Sequence, residues 1–349
     1  MKFFARHICC MLLALSIVPA AYAQMRRYTP LTAEEIASMT QVVITMTGDC
    51  VLGGEEKTRK NERSFDHVIA QKGMAWPFSG FTQLFNADDI TLINLEGVLK
   101  DNSRDRLMDK VHTFRGSTAY TEILTLGSVE KVNIANNHYI DYGKAGKTST
   151  LNALKQAGIA YSGYKELHTT MANGKKIGFG GIRETVYRQK RSTMAEDIQA
   201  LKEMNCDLII YTCHFGKEYA KTHNDLQEKM AREAIDLGAN LVIGHHPHVV
   251  QGVEYYNGGV ILYSLGNFVF GGNLKLTEFD AYIAQALFLW EKDQYQGVQL
   301  QFIPVLTTGI IPDNDFRPEI AMKEDKARIL KKMQADSSIL IKESMFFPR

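Results

Sequence analysis

From Gln41 onward, short β-rich runs alternate with helical stretches, and this alternation limits the possible folds more than any other feature of the chain. The β-rich runs begin with Val42-Val43-Ile44 and continue with Ile90-Thr91-Leu92-Ile93, Val132-Asn133-Ile134, Leu208-Ile209-Ile210-Tyr211 and Leu241-Val242-Ile243. Helical patterns lie between them, around residues 81–85, 118–126, 147–157, 194–204 and 226–237. A strand-helix-strand rhythm predicts parallel strands covered by helices. Further on, Asn257-Gly258-Gly259 separates two β-rich runs and reads as a hairpin turn, with a second turn at Asn173-Gly174. Residues 284–290 and 298–304 suggest another hairpin. The expected architecture is an α/β, mixed-sheet αββα sandwich with helices outside.

Composition narrows the class without naming a function. Hydrophobic residues make up 45% and charged residues 23%, enough apolar material for a sizeable core. Lys+Arg 40 against Asp+Glu 39 gives a formal charge of +1, so nothing in the bulk charge draws nucleic acid or anionic lipid. Lys2 and Arg6, the apolar run Ile8 to Val18 and the small-x-small triplet Ala21-Tyr22-Ala23 form a signal-peptide pattern over residues 1–23. Cleavage there removes two basic residues and no acidic one, leaving 38 against 39. No later run reaches the ~18 apolar residues of a transmembrane helix. The expected organisation is signal peptide 1–23, polar lead-in 24–40, one domain over 41–311, and a charged, helical segment over 312–349. The protein is expected to be exported, periplasmic or secreted, with no membrane anchor after cleavage. Cys50, Cys206 and Cys213 would remain. Cys206 and Cys213 flank one strand, and seven extended residues span roughly 23 Å, too far for a disulfide. Cys50 with Cys213 stays open beside the reading of buried free thiols.

Chemistry-bearing residues gather just past the strands. The first run ends in Gly48-Asp49, the second in Asn94-Leu95-Glu96-Gly97, the third in Asn136-Asn137-His138. The fourth ends in His214-Phe215-Gly216-Lys217-Glu218, the fifth in Gly244-His245-His246-Pro247-His248, and the hairpin closes on Ser264-Leu265-Gly266-Asn267. Five of the ten histidines fall in three of these segments. In open α/β sheets the carboxyl ends of the strands form the ligand crevice. Carboxylates, amide oxygens and imidazoles without a CxxC pair suit Zn, Mn or Fe in a catalytic site. His246 and His248, two apart in an extended segment, would face one side, and His245 the other.

Taken together and in order, these motifs resemble the CapA family of poly-γ-glutamate capsule synthesis proteins, whose domain is similar to the calcineurin-like metallophosphoesterases. The resemblance covers residues 41–306. It implies one or two divalent metal ions held by Asp49, Glu96 (at the bridging position), Asn137, His214, His246 and His248, with His138 assisting the leaving group. One departure stands out: the metallophosphoesterases carry a histidine two positions after the first aspartate, where this chain has Val51. The resemblance implies a metal-dependent hydrolase acting on phosphoester or γ-glutamyl bonds of a cell-envelope polymer. The other reading is a non-catalytic factor that binds or assembles an anionic capsule polymer. Partners would be that polymer or a phosphoester, with other capsule synthesis or export proteins, and no nucleic acid.

Other residues carry open readings. Asp141 reads as the N-cap of the following helix. Asn94 belongs to the site motif, Asn267 either lines the pocket or makes a tight turn, and Glu218 either steadies His214 or lies on the surface. His112 and Arg115 could meet an anionic substrate. His67, His168 and His223 read as solvated. One expectation is directly measurable: N-terminal sequencing of the exported protein should begin at Gln24, and an intact Met1 would defeat the signal-peptide reading.

Overall fold

The computed structural model describes residues 28–349, so the expected signal peptide lies outside the described residues. Two large sheets carry the fold. The first has nine strands, in the order Glu319–Ile320, Gln294–Leu306, Asp280–Glu291, Thr40–Val51, Ile90–Leu95, Lys131–Asn133 and Ala160–Ser162. Asn267–Phe270 adds to Thr40–Val51, and Ser344–Pro348 adds to Gln294–Leu306. The second has six strands, in the order Val253–Tyr256, Gly259–Leu262, Leu241–His245, Leu208–His214, Lys175–Arg183 and His168–Ala172. Each sheet has a block of parallel strands at its centre or on one side, and antiparallel hairpins complete both.

Strand periodicity explains the layering. Along Leu208–His214, Leu208 and Ile210 face the other sheet while Ile209, Tyr211 and Cys213 face helices. In the first sheet Val42, Ile44, Met46, Ile90 and Leu92 enter the same inter-sheet core, whereas Ile93, Leu95 and Val132 face outward. Helices Phe65–Lys72 and Gly143–Gln156 cover the outer face of the first sheet. Ser192–Glu203 and Asp225–Leu237 cover that of the second. The result is the four-layered mixed α/β sandwich that the sequence predicts. Both expected turns form: Asn257 and Gly258 have φ of 45° and 83°, and Asn173 and Gly174 have 49° and 78°, the mirror-image geometry of two-residue hairpins.

One expectation needs correction. Residues 312–349 are not only a charged helix. Helix Lys323–Ala335 is present, but the strands on either side of it pair with Gln294–Leu306, so the segment is woven into the first sheet. Lys175–Arg183, a central strand, was not legible as one. Cys50, Cys206 and Cys213 are all free thiols.

The first strand reaches the site through a bulge. Met46 lies opposite Leu92, but Asp49 lies opposite Asn94, so Thr47 and Gly48 form an extra step. Gly48 is pressed against the chain that leads into Asn267–Phe270: a β-carbon there would stand 2.1 Å from the Gly266 carbonyl oxygen. The Asp49 amide donates to that same oxygen at 2.9 Å. Gly48→Ala should therefore cost roughly 3 kcal/mol of stability, because backbone rather than a movable side chain must yield. An unchanged urea midpoint would show that the bulge is not fixed by this contact.

Candidate functional site

The parallel strands of both sheets end at one rim, and the site forms where these ends meet. Asp49, at the end of the first strand, is fully buried and enclosed by four contacts. Asn94 Nδ2 donates to Oδ1 at 2.8 Å, and His245 Nδ1 lies 2.9 Å from the same oxygen. The His246 amide donates to Oδ2 at 3.2 Å, and His248 Nδ1 lies 3.0 Å from it. One carboxylate thus joins the two sheets. Burial alone would raise its pKa, but His245 and His248 outweigh that and hold it well below the usual carboxylate range.

Glu96 is the opposite case. It is also fully buried, and its Oε1 has no hydrogen-bond partner. Three imidazole nitrogens face that oxygen without bonding it: Nε2 of His214 at 3.6 Å, of His248 at 3.9 Å and of His138 at 4.0 Å. These are too long for hydrogen bonds. They match the ~3–4 Å between ligands across one ion. Desolvation, with the charge of Asp49, raises the Glu96 pKa well above its ordinary value.

The imidazoles are held from behind. His248 Nδ1 meets Asn267 Oδ1 at 3.0 Å as well as Asp49, leaving Nε2 toward Glu96. His214 Nε2 lies 2.8 Å from Asn137 Oδ1, and its ring centre is 4.7 Å from that of His246. His246 and His248 come together by a different route from the expected pleat. Both have left-handed backbones, φ 99° and 59°, and it is this turn that brings their rings to 5.9 Å. Burial lowers His246 to about 4, with His248 adding to the effect, and holds His214 well below its ordinary value. Burial also disfavours charge on His248, but Glu96 and Asp49 reverse it and lift the ring to about 9.

His138 stands against the Phe114 ring, 4.2 Å centre to centre. Its Nδ1 lies 2.7 Å from Asp141 Oδ2, which also accepts from the Phe114 amide at 2.6 Å. Lys110 grips the other Asp141 oxygen and donates to the Asn137 carbonyl at 2.7 Å. Burial lowers the His138 pKa, with Asp141 opposing. The amides behind the site are linked: Asn133 and Asn136 both donate to Asn94 Oδ1, at 2.8 and 3.2 Å, and Asn136 Oδ1 accepts from the His138 amide at 3.1 Å.

Among the described residues, three groups present donor atoms within 4.8 Å of one another: Asp49, Glu96 and His248; Glu96, His214 and His246; and Glu218, His246 and His248. The structure therefore brings together Asp49, Glu96, His138, His214, His246 and His248, with Asn94, Asn137 and Asn267 against them. Several expectations fail. His245 does not point away but faces Asp49. Asp141 caps no helix: the N-cap of Gly143–Gln156 is Tyr142, and Asp141 serves His138 instead. Glu218 does not steady His214, whose Nδ1 has no partner; it is exposed and stands by His246 and His248. Arg115 is spent on Glu56 and the Lys100 carbonyl, and is buried, so its guanidinium is not free to meet a substrate. His112 is engaged with Glu55. His223 stacks on Tyr263 at 3.7 Å with Nδ1 3.0 Å from Asp336, while half-buried His168 is lowered to about 4 by desolvation and Lys131. His67, linked to Gln71, is half-buried. Lys110 and Phe114 carried no sequence signal, because neither lies in a motif. His245 and Asn136 did, as neighbours within motifs.

These shifts fix the pH response of the metal-free chain. His246 folds with a pKa below its unfolded ~6.5, so the unfolded chain binds more protons between about 4 and 6.5, and stability rises with pH there. His214 and His138 act the same way, and Glu96 opposes them. His248 folds with a pKa near 9, so its contribution is complete below ~6.5 and is lost as pH rises through about 9. Denaturation of chelator-treated protein should show a maximum near pH 6.5; stability that climbs steadily to pH 9 would contradict the His248 assignment.

Comparison with known proteins agrees with the motifs. Residues 43–272, which span all of these site residues, match the family described as bacterial capsule synthesis protein PGA_cap. The chain is 30% identical over 259 residues to the PGA biosynthesis protein CapA of Bacillus subtilis (strain 168), covering 68% of this chain and 66% of that one. It is 24% identical to the capsule biosynthesis protein CapA of Bacillus anthracis, over 95% of this chain and 82% of that one. A crystal structure of 5'-nucleotidase from Candida albicans aligns at 13% identity with a TM-score of 0.42, over 79% of this chain and 53% of its own. With its site residues lying inside the matched region, the chain belongs to the bacterial capsule synthesis protein family, PGA_cap.

Proposed function

We propose that the protein is a metal-dependent hydrolase acting on a phosphoester or γ-glutamyl bond of an anionic, capsule-type polymer. The observation that carries this reading is Glu96 Oε1, a buried acceptor without a partner, facing three imidazole nitrogens at 3.6–4.0 Å. A buried carboxylate oxygen left so is costly unless a cation completes it. Asp49, Glu96 and His248 would hold one ion, and Glu96, Asn137, His214 and His246 a second. An ion on Asp49 would replace one of its four present contacts. Mn, Zn or Fe bound there would supply Lewis-acid polarisation of the scissile bond and an acidified water.

The chain's own residues do the rest. His138 presents Nε2 to the site because Asp141 holds Nδ1, and this orientation suits donation of a proton to the leaving group. Lys110 fixes Asp141, and through the Asn137 carbonyl it ties the acid to the neighbouring amide. Phe114 covers one face of the His138 ring and keeps water from it. The names of the Bacillus relatives supply the capsule polymer as the substrate class, and the N-terminal pattern supplies export. Other capsule synthesis or export proteins are the partners this role calls for. Among the described residues no helix is long and apolar enough to cross a membrane.

The competing reading, polymer binding without turnover, draws on Val51, and one set of assays separates the two. Purified protein with Mn or Zn should hydrolyse nitrophenyl phosphodiesters or γ-glutamyl anilides. His138→Ala should keep its metal and lose about 10²–10⁴ in turnover, with a smaller loss on good leaving groups. His246→Ala should lose metal and activity together. Full activity of His138→Ala on every substrate would remove it as the acid, and metal-loaded protein without turnover would favour the binding role.

A further inference from the structure

We propose that Glu218 is a metal ligand that fills the coordination place left by Val51; this rests on the metal-dependent reading above. Val51 follows Asp49 by two residues on the same strand, yet its side chain offers no donor. It is buried in an apolar cluster with Phe114, Phe270 and Leu276. The group formed by Asp49, Glu96 and His248 therefore offers three protein ligands, fewer than the six positions of an octahedral ion such as Mn. Among the described residues, Glu218 is the one further carboxylate that groups with the site histidines. Its donor atom lies within 4.8 Å of those of both His246 and His248. That is slightly wider than ligands across one ion, and an exposed glutamate can close the gap by rotating about its own side chain.

The loop is tied to the histidines it would serve. The Phe215 amide donates to the His245 carbonyl at 3.1 Å, and the Tyr219 amide to the Pro247 carbonyl at 2.8 Å. Gln251 Nε2 holds the Ala220 carbonyl at 2.9 Å. Tyr219 has φ 61°, a state that bulky residues adopt only where the surroundings impose it. Residues 215–220 thus follow the His245–His248 segment as a unit, and Glu218 goes wherever His246 and His248 go. The second, independent observation is the orphaned Glu96 Oε1, which groups with the same two histidines and asks for a cation.

Charge and donor type extend the inference. Two divalent ions bring four positive charges; Asp49 and Glu96 cancel two, and Glu218 cancels a third where a histidine would cancel none. An oxygen in place of an imidazole also tilts the site toward harder ions, favouring Mn over Zn.

Equilibrium dialysis and electron paramagnetic resonance with Mn²⁺ alone test this without turnover. The wild-type chain should bind two ions that give an exchange-coupled signal. Glu218→Gln should keep one ion, bind the second at least ~10-fold more weakly, and lose the coupled signal at wild-type loading. Glu218→Asp, which keeps the charge on a shorter arm, should recover part of that affinity. Because the side chain is exposed, the metal-free variants should unfold at the wild-type midpoint. If the wild-type chain binds two ions and Glu218→Gln binds both as tightly, the ligand assignment falls and the hydrolase reading stands. If the wild-type chain binds no ion, both fall together.

Discussion

The Asp49 carboxylate is the interaction on which the site's geometry depends. It sits at the end of a strand of the first sheet, yet three of its four contacts come from the His245–His248 segment that ends a strand of the second. A buried charge cannot be left without partners in a low-dielectric interior, so the contacts that satisfy it also set where the two sheets meet at this rim. The β-bulge at Thr47–Gly48 aims the carboxylate, and the Gly266 carbonyl fixes the bulge.

Behind that charge lies an amide ladder within the first sheet. Asn94 donates to Asp49 and accepts from Asn133 and Asn136; Asn136 in turn orients the His138 amide. Neutral side chains suit this position. Each can donate and accept at once, so the ladder passes order from one strand end to the next without adding charge to a region that already holds two carboxylates. Asp141 and Lys110 hold His138 from the other side. The acid and the candidate ion-binding groups therefore share the amide ladder, and Asp141 gives the acid a further hold of its own.

Much of this was legible in the sequence, for a physical reason. Parallel strands buried on both faces must be apolar runs, and the residues at their carboxyl ends are where such sheets place chemistry, so Asp49, Glu96, His138 and His214 stood out. What escaped notice was set by tertiary contact. Lys175–Arg183 carries Gly178, Gly180 and Gly181, which erase the strand pattern. A β-carbon at Gly180 would stand 2.7 Å from the Tyr211 ring, and one at Gly181 2.7 Å from Asn133 Oδ1. The glycines thus mark close approach, and no local rule reads that from one chain. His245 was misjudged because alternation was applied to a segment that leaves the extended state at His246. Asp141 was misjudged because its partner His138 is three residues back, while the helix cap it resembled is only a default for its position.

The two carboxylates also explain why three similar rings behave differently. Without a cation, Asp49 and Glu96 set two fully buried acidic groups side by side, and the cheapest compensation is a proton. His248 takes it, because it alone touches Asp49 through Nδ1 while facing Glu96 through Nε2. His214 and His246 face each other instead, and burial keeps both neutral. A divalent ion and the His248 proton therefore compete for one pool of negative charge, so ion uptake must release that proton. The same rings that stabilise the empty site at neutral pH would then weaken its hold on an ion as the pH falls. Ion affinity and protonation at this rim are two expressions of a single electrostatic balance.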